Sequence, residues 1–359
     1  MKTAVIVPMK NELRGLAALL TTLYAQLSPQ DELVVVDAGS DDGTWEFVTC
    51  FAATHPQLTP IRVPGAYPGA ARNAGIRATD APLIAQVDGG NLPNEGWLDT
   101  IRAPILDGTA DYVTGNSKIM PIWTTLLGRR IDLGSIFGAV SIRGPRLRTP
   151  PAPDLPPEEF SFEEYAAGGD SVCYRRELWE RVGGFPEWLR FGEDPLFVTK
   201  LDRLRPRYAF AEDAVVFWQL GPGVWNILVR RCRSQRRDLR TRAMVAANRR
   251  RVAQYLALGL LLVAGVVSSA VLPWALGAWL LFAAVQCVKS FKTWFSRQHP
   301  DIEQADRLAQ LAAVITLIPV LDVLGIPARI LGTVQALCSL KEQESDWGQR
   351  VTEYLNTWP

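Results

Sequence analysis

The chain has 359 residues, a formal net charge of +1, five cysteines and two histidines. This length allows one large domain with a smaller module, and the near-neutral charge does not favour nucleic acid as a partner. The cysteines are scattered and His55 lies far from His299, which argues against a zinc site, a disulfide framework and a histidine-rich metal site. The first residues lack the features of a secretory signal, so we expect the N-terminal part to stay in the cytoplasm.

Strand-like and helix-like stretches alternate in the first part of the chain. Short apolar runs predict strands at residues 4–7, 32–36, 58–63 and 83–87. Helical spacing of apolar residues predicts helices at residues 12–27, 44–53 and 70–78. This alternation predicts an α/β fold with a mostly parallel sheet. Ligands of such sheets bind beyond the carboxyl ends of the strands, where Pro8, Asp37 and Asp88 stand.

The middle of the chain changes character twice. Residues 143–164 are rich in proline and charge, which predicts a long loop that closes over the site as a lid. Residues 169–207 then predict a strand, a helix, a turn and a second helix, and residues 214–218 predict a last strand.

A basic block followed by a long apolar block is typical of a membrane protein. Residues 230–251 carry ten arginines and one acid, and residues 252–288 carry no charge. One helix over that apolar run would measure about 55 Å, against a hydrocarbon core of about 30 Å. We therefore expect two antiparallel helices that break near residues 268–273. A buried helical hairpin of a soluble protein is the alternative.

A shorter apolar stretch follows at residues 308–321, where Pro319 and Pro327 should break or kink a helix. Its length favours a re-entrant or interfacial segment over a full span. The expected organisation is a catalytic domain at residues 1–225, a basic juxtamembrane helix at 226–251, a membrane region at 252–340 and a cytoplasmic or exposed tail at 341–359. Basic residues on both flanks of the hairpin predict a multi-pass protein of the inner cell membrane with its catalytic domain in the cytoplasm.

Residues capable of binding a nucleotide cluster at the predicted strand ends. The candidates are Pro8, Asn11, Glu12, Asp37, Arg72, Asn73 and Asp88. A carboxylate such as Asp37 can accept hydrogen bonds from a uracil N–H or from ribose hydroxyls. The fork of donors on Arg72 suits a phosphate or a carboxylate.

This ordered set resembles the family 2 glycosyltransferases, which have the GT-A fold. The family pattern P-x-x-N-E, V-D-D-G-S-x-D-G-T, A-R-N-x-G and D-x-D has counterparts at residues 8–12, 36–44, 71–75 and 88–90. The segment V-G-G-F at residues 182–185 and G-E-D-P at residues 192–195 match its second half. The resemblance covers roughly residues 1–220, and the apolar region is similar to that of bacterial members with C-terminal membrane helices.

Three departures from the family pattern concern the expected metal ion and one loop. Gly90 stands where the D-x-D motif has its second aspartate, and no histidine follows before His299. The resemblance implies Mg²⁺ or Mn²⁺ on Asp88, with Asn91 as a substitute oxygen ligand. If this ligand set is right, Gly90→Asp should tighten Mn²⁺ binding. The third departure is Ala38, where the family often has another aspartate.

The E-D motif supplies the expected catalytic carboxylates, Asp194 and Glu193. The resemblance implies that Asp194 is the general base of an inverting transfer from a nucleotide-diphosphate sugar. An N-cap is the structural alternative for a carboxylate at a helix start. Glu193 is the nearest rival for the role of base, and neighbours at a helix start point about 100° apart, so we expect only one to face the acceptor.

Three functions stay open from the sequence. The first is an inverting glycosyltransferase acting on a polysaccharide, glycolipid or lipid-linked acceptor at a membrane. The second is a nucleotide-sugar-binding, weakly catalytic subunit of a glycan-assembly complex, which Gly90 and the missing histidine favour. The third is transfer to a polyprenyl phosphate, whose anionic oxygen needs no base. The expected partners are the sugar donor, the acceptor and membrane lipids, without nucleic acid.

Overall fold

The computed structural model describes residues 1–141, 170–190, 192–219, 225, 228–229, 232, 253, 256–261, 263–296 and 305–359, without the side chains of residues 138, 140, 141, 195, 296 and 336–348. The chain forms two compact units. The first comprises Met1–Ser117, Gly144–Gln219 and Arg350–Pro359. The second comprises Lys118–Arg143 and Leu220–Gln349.

The secondary structure alternates strands and helices before it becomes helical. The strands are β1 (Thr3–Met9), β2 (Glu32–Asp37), β3 (Leu58–Arg62), β4 (Leu83–Gln86), β5 (Asn91–Pro93), β6 (Tyr112–Ile119), β7 (Trp123–Leu126), β8 (Arg129–Asp132), β9 (Val172–Arg175) and β10 (Tyr208–Trp218). The helices are α1 (Leu13–Tyr24), α2 (Thr44–Ala52), α3 (Pro68–Arg77), α4 (Trp97–Leu106), α5 (Leu133–Ser141), α6 (Arg176–Val182), α7 (Glu193–Asp202), α8 (Leu272–Ser296) and α9 (Arg307–Asn356).

An eight-stranded sheet with the order β3-β2-β1-β4-β9-β6-β10-β5 is built mainly from the first unit. Strands β3, β2, β1 and β4 are parallel to their neighbours, as the alternation of strands and helices predicted. Strand β9 is antiparallel to both β4 and β6, and β10 is antiparallel to β5. The predicted α/β fold of GT-A type is confirmed.

Strand β1 is buried on both faces because its apolar residues serve two cores. Val5 and Val7 belong to one hydrophobic cluster, and Ala4 and Ile6 belong to another. Successive side chains of a strand point to opposite faces, so an uninterrupted apolar run is what a sheet covered on both sides requires. Helix α3 covers one face so closely that a Cβ at Gly75 would lie 2.7 Å from Ile6 Cγ2.

The predicted strands and helices of the first unit match the structure within a few residues. The predicted strand at residues 214–218 is the end of the longer β10, which begins at Tyr208. The sequence analysis assigned no elements to residues 89–142, where the structure has β5, α4, β6, β7, β8 and α5. The predicted lid at residues 143–164 lies outside the described residues.

The second unit contains a β-hairpin, a short apolar helix and two long helices. Strands β7 and β8 pair antiparallel, with Trp123 opposite Asp132. The carboxylate of Asp132 accepts hydrogen bonds from the backbone N–H groups of Ile122, Gly134 and Ser135, which caps the start of α5. Its core is formed by residues of the hairpin, α5, α8 and α9, among them Ile136, Trp294 and Ile318.

The third apolar stretch differs from the prediction. Residues 308–321 are the beginning of α9, a helix that runs from Arg307 to Asn356 with Pro319 and Pro327 inside it. Of the two expected effects of the prolines, a break or a kink, the break is absent, because the helix continues through both positions. A proline costs about 3 kcal/mol in a helix interior, but packing of a helix face can outweigh that cost, and Val314, Ile318 and Leu321 are buried in the core of the second unit.

Two of the described helices are long and apolar enough to cross a membrane by length and composition. They span Leu272–Phe295 in α8 and Arg307–Gln335 in α9, with many exposed apolar side chains such as Trp274, Leu281 and Ile315. The predicted break near residues 268–273 is present, because residues 269–271 form a turn before α8. Residues 256–261 and 263–267 ahead of it are helical, and most of the predicted basic helix at 226–251 lies outside the described residues.

The last ten residues pack on the first unit, where the sequence analysis had placed a cytoplasmic or exposed tail at residues 341–359. Helix α9 continues to Asn356, and Val351 is fully buried. The hydroxyl of Tyr354 donates a hydrogen bond to the carbonyl of Gly184 at 2.8 Å. The ammonium of Lys200 lies 4.5 Å from the centroid of the Tyr354 ring. These contacts hold the C-terminus against the turn between α6 and α7.

We expect Tyr354→Phe to lower the stability of the first unit by about 1 kcal/mol, the typical net value of one hydrogen bond. Tyr354→Ala should cost about 2 kcal/mol, because it also removes a partly buried aromatic ring from Lys200. Thermal unfolding of the purified chain in detergent measures both variants. Tyr67→Phe is the matched control, since Tyr67 is exposed. Equal unfolding temperatures for Tyr354→Ala and the wild type would show that the C-terminus does not stabilise this unit.

Candidate functional site

The loops that follow β1, β2 and β4 meet at one edge of the sheet. The parallel register places Met9 opposite Asp37, so the ends of β1 and β2 coincide. Beyond β4, the N–H of Val87 donates to the carbonyl of Ile6 at 3.2 Å. The predicted candidates Pro8, Asp37 and Asp88 therefore lie together at the carboxyl ends of the parallel strands, as expected for a ligand site of this fold.

Asn11 connects the first two loops. Its backbone N–H donates to Ser40 Oγ at 2.9 Å, and its side-chain oxygen accepts the N–H of Asp41 at 3.0 Å. Its φ of 57° is in the left-handed region, which asparagine tolerates better than most residues. Next to it, the N–H of Glu12 donates to Thr44 Oγ1 at 3.0 Å. The two motifs at residues 8–12 and 36–44 thus form one hydrogen-bonded surface.

The buried carboxylate of Asp37 holds the loop after β2 in its shape. Its carboxylate is fully buried and accepts hydrogen bonds from the N–H groups of Gly39 and Ser40 and from the Ser40 hydroxyl. Arg62 Nε lies 3.3 Å from the same carboxylate. Asp37 was predicted to contact the nucleotide, whereas in this structure its acceptors are directed at its own loop and at Arg62. Any effect of Asp37 on nucleotide binding would therefore come from the shape that it gives to this loop.

Replacing Asp37 should weaken nucleotide binding before it affects turnover. In Asp37→Ala the loop at residues 38–43 loses its buried acceptor, so we expect the dissociation constant for a nucleoside diphosphate to rise tenfold or more, which is about 1.4 kcal/mol. Isothermal titration of the purified chain with UDP and GDP measures this. Asp41→Ala is the control, because Asp41 lies in the same loop and is exposed. Unchanged affinity in Asp37→Ala would remove this loop from the nucleotide site.

Arg72 gathers three carboxylates at the centre of the site. Its Nη1 donates to Glu193 Oε1 at 2.6 Å and lies 2.9 Å from Asp194 Oδ1, and its Nη2 donates to Asp88 Oδ1 at 2.7 Å. The side chain of Arg72 is 2% exposed, those of Glu193 and Asp194 are 8% and 21% exposed, and that of Asp88 is 42% exposed. Arg72 was expected to hold a phosphate or a carboxylate, and here its partners are carboxylates of the protein.

The close approach of α3 to α7 makes this cluster possible. A Cβ at Gly69, in the first turn of α3, would lie 2.7 Å from the carbonyl oxygen of Pro186 and 3.4 Å from Glu193 Cβ. Only glycine permits that approach. Carboxylates that are far apart in the sequence, Asp88 after β4 and Glu193 and Asp194 on α7, therefore contact the one guanidinium of Arg72.

The electrostatics of the cluster follow from burial and from its excess of acid. Burial disfavours the charged guanidinium, but Asp194, Asp88 and Glu193 outweigh it and raise the pKa of Arg72 above its ordinary value. Partial burial also raises the pKa of Asp88 to about 6, because Arg72 offsets it only partly and the charges of Asp194 and Asp170 add to it. One cation thus faces three acids, and the site has an excess of negative charge.

Asn73 has a structural role in this arrangement. Its side-chain oxygen accepts from Trp179 Nε1 and from the N–H of Phe185, and its amide nitrogen donates to the carbonyl of Phe185 and to Glu187. Asn73 was predicted to be a nucleotide-binding residue. Both of its polar atoms are instead used to hold the segment that leads into α7, so it positions Arg72 and Glu193 through the backbone.

Glu193 and Asp194 both reach Arg72 Nη1. The helical spacing of neighbours had suggested that only one of them faces the acceptor, yet the single guanidinium contacts both carboxylates. Their exposure distinguishes them, because Asp194 is the more accessible to a substrate. Their catalytic roles stay predictions.

Asp170, at the start of β9, is a site residue that the sequence analysis did not single out. It is nine-tenths buried, and its Oδ2 accepts hydrogen bonds from Ser117 Oγ and Trp218 Nε1, both at 2.6 Å. Its charge acts on Asp88. The signal in the sequence was weak, since an isolated aspartate before a short apolar strand resembles an ordinary turn residue.

The predicted metal ligands Asp88 and Asn91 are joined by the backbone, where the N–H of Asn91 donates to the carbonyl of Asp88 at 3.0 Å. The described residues contain no group of three or more His, Cys, Asp or Glu side chains arranged to hold a metal ion. A cation that bridges a diphosphate, however, needs only one or two protein carboxylates, because phosphate oxygens and water complete its shell. Asp88 meets that requirement in part.

Comparison with known proteins finds a family match in the first part of the chain. Residues 4–132 match the family described as glycosyl transferase family 2. The chain is 33% identical over 217 residues to "Glycosyltransferase AglE" of Haloferax volcanii, covering 59% of this chain and 65% of that protein. It is 28% identical over 219 residues to the "Pre-mycofactocin glycosyltransferase" of Mycobacterium tuberculosis, covering 59% of this chain and 41% of that protein. The chain thus spans less than two thirds of the length of these relatives.

The fold is similar to that of a solved structure, the mannosyltransferase PcManGT from Pyrobaculum calidifontis in complex with GDP-Man and Mn²⁺. The similarity covers 94% of this chain and 87% of that one, with a TM-score of 0.53 and 20% identity, and it concerns the fold. The motifs at the strand ends, the sheet topology and the family match at residues 4–132 all point to the same family and fold. Residues 4–132 therefore lie in a glycosyltransferase family 2 domain, and the fold is of the GT-A type.

Proposed function

We propose that the chain transfers a sugar from a nucleotide-diphosphate donor to an acceptor at a membrane, with inversion at the anomeric carbon. The observation that carries this proposal is the cluster of Asp88, Glu193 and Asp194 on the buried Arg72, at the carboxyl edge of the parallel strands. A module that only binds nucleotide has no need for the accessible carboxylate of Asp194. Two relatives carry the name glycosyltransferase, which supports the proposal.

The proposed reaction is a single displacement. Asp194 accepts the proton of the acceptor hydroxyl. At the same time the hydroxyl oxygen forms the new bond to the anomeric carbon, and the bond between that carbon and the diphosphate oxygen breaks. Arg72 holds Asp194 in place, and Glu193 neutralises part of the charge of Arg72, so Asp194 remains available as a base. The loops of Asn11 and Asp37 position the nucleotide.

A divalent cation is proposed at Asp88, as Mn²⁺ accompanies GDP-Man in PcManGT. Bound there, Mg²⁺ or Mn²⁺ neutralises charge on the leaving diphosphate. The negative excess around Arg72 suits a cation better than an unaccompanied diphosphate. Sequence reasoning proposed Asn91 as a further oxygen ligand.

The membrane part of the proposal depends on α8 and α9. Their apolar stretches of 24 and 29 residues are long enough to span a bilayer. We propose a multi-pass protein of the inner cell membrane, with the catalytic domain at the cytoplasmic face. The acceptor is then a polysaccharide, a glycolipid or a lipid-linked glycan. Acceptors of that kind are held at the surface where the active site works.

The proposed function is tested by measuring sugar transfer by the purified full chain in detergent. A panel of UDP- and GDP-sugars is offered with lipid-linked glycans or with polyprenyl phosphate, and mass spectrometry detects the product. Proton NMR of the product then reports the anomeric configuration, which should be inverted. A glycosylated lipid phosphate would identify the acceptor as polyprenyl phosphate. Tight donor binding without transfer to any acceptor would favour the weakly catalytic subunit and reject the proposed function.

A further inference from the structure

The turn at residues 88–90 is pressed against the end of β1. The N–H of Gly89 donates to the carbonyl of Pro8 at 3.1 Å, which continues the pairing of β4 with β1. A Cβ at Gly89 would lie 2.6 Å from Met9 Cβ, a distance that real Cβ atoms do not tolerate. Glycine at this position therefore allows the turn to lie in direct contact with the end of β1.

Glu12 fills the space where a side chain at residue 90 would begin. A Cβ at Gly90 would lie 3.2 Å and 3.4 Å from the two carboxylate oxygens of Glu12. Within the described residues, no side chain or backbone group donates a hydrogen bond to this carboxylate. The charged groups that act on it are the acids Asp88 and Asp42. Among the described residues, therefore, no cation balances the carboxylate of Glu12 beside Asp88.

We propose that Glu12 supplies the second carboxylate that a D-x-D motif would carry at residue 90, so that Glu12 and Asp88 together bind the divalent cation. This inference rests on the proposed function and names a ligand for it. Two carboxylates, with the remaining oxygens from diphosphate and water, are a usual set for Mg²⁺ and Mn²⁺. The glycine at residue 90 is then a consequence of the position of Glu12, since the same volume holds only one acidic side chain.

This assignment changes the expected effect of Gly90→Asp. With Asp88 alone or with Asn91 as ligands, a new aspartate should tighten Mn²⁺ binding. With Glu12 as the second ligand, the new side chain begins against an existing carboxylate and gains nothing. In a Glu12→Gln background, by contrast, the aspartate at residue 90 restores the missing charge in nearly the same place. The double variant therefore distinguishes the two ligand sets.

The test measures Mn²⁺ binding by electron paramagnetic resonance, on the purified full chain in detergent with GDP or UDP and without acceptor. Glu12→Gln should weaken Mn²⁺ binding tenfold or more, as loss of a group in a metal site commonly does. Gly90→Asp alone should match the wild type, and Glu12→Gln/Gly90→Asp should recover affinity to within about threefold. Glu46→Gln is the matched control, because it makes the same substitution at an exposed acid on α2, outside the loops of the site, and should leave the affinity unchanged.

Unchanged Mn²⁺ affinity in Glu12→Gln would overturn the proposal, and so would tighter binding in Gly90→Asp alone. Absence of Mn²⁺ binding in the wild type would also overturn it. Thermal unfolding confirms that each variant is folded. Sugar transfer in the presence of EDTA is measured separately, so that a metal-independent transferase would reject the role of Glu12 and retain the proposed function.

Discussion

Asp194→Asn should lower kcat by about 10²–10⁴-fold, the usual contribution of a general base, and leave nucleotide affinity nearly intact. Asparagine keeps the shape of the side chain but cannot accept the proton of the acceptor hydroxyl. Asp194 is the more exposed of the two acids on Arg72 Nη1. Steady-state kinetics with a confirmed acceptor measure kcat, and titration with UDP or GDP measures donor affinity.

Two further variants make this result specific. Glu193→Gln should act mainly on stability, because Glu193 is buried and fixed on Arg72. Asp202→Asn, the same substitution at the other end of α7, should leave kcat unchanged. If Glu193→Gln abolishes turnover while Asp194→Asn does not, the role of base belongs to Glu193. If neither slows the reaction, an already ionised acceptor such as a lipid phosphate becomes the better account.

Arg72→Ala should destabilise the first unit by about 3–5 kcal/mol, the cost of removing one partner from a buried ion pair. Among the described residues, Arg72 is the cation that the three carboxylates share, and all three would lose it, although Asp88 is partly open to water and reduces the penalty. For a domain of this size the unfolding temperature should fall by roughly 10 °C. Arg77→Ala is the matched control on the same helix, because its exposed pair with Glu187 contributes at most about 1 kcal/mol.

The penalty of Arg72→Ala should shrink as the pH falls from 7 to 5. Burial already raises the pKa of Asp88 to about 6, and loss of the guanidinium raises it further. A carboxyl whose pKa is higher in the folded state than in the unfolded state takes up protons on folding, so its destabilising effect disappears at lower pH. Unfolding temperatures at a series of pH values measure this. A penalty that stays constant would show that the three acids do not depend on Arg72.

The local character of the first half of the chain was readable from the residues. Buried parallel strands need apolar residues on both faces, and that requirement leaves an uninterrupted run such as residues 32–36. The loops at residues 8–12, 36–44 and 88–90 were placed at the correct edge, because parallel strands necessarily bring their carboxyl ends together. The elements between residues 89 and 142 were not predicted. Several of them are too short to show a clear pattern, since β5 has three residues and the hairpin strands β7 and β8 have four each.

The proline positions show where local rules stop. A proline removes one helical hydrogen bond and crowds the preceding turn, which makes a break the natural expectation for a short apolar segment. In the structure, Ile318 and Leu321 on either side of Pro319 are buried in the core of the second unit. The free energy of that packing comes from residues distant in sequence, so no window around the proline could reveal it.

The sequence by itself determined the α/β fold and the strand-end loops, because each depends on burial or turn chemistry within a short segment, whereas the acids at residues 193 and 194 were singled out by the family resemblance. Only the tertiary structure decided what these residues contact. It directs Asp37 at its own loop, uses both polar atoms of Asn73 to hold a turn, and places Glu193 on an arginine that is 121 positions away. It also puts Glu12 in the space beside Gly90. The physical reason is that hydrogen bonds and charges act through space, and the spacing of residues along the chain does not determine their distances in the fold.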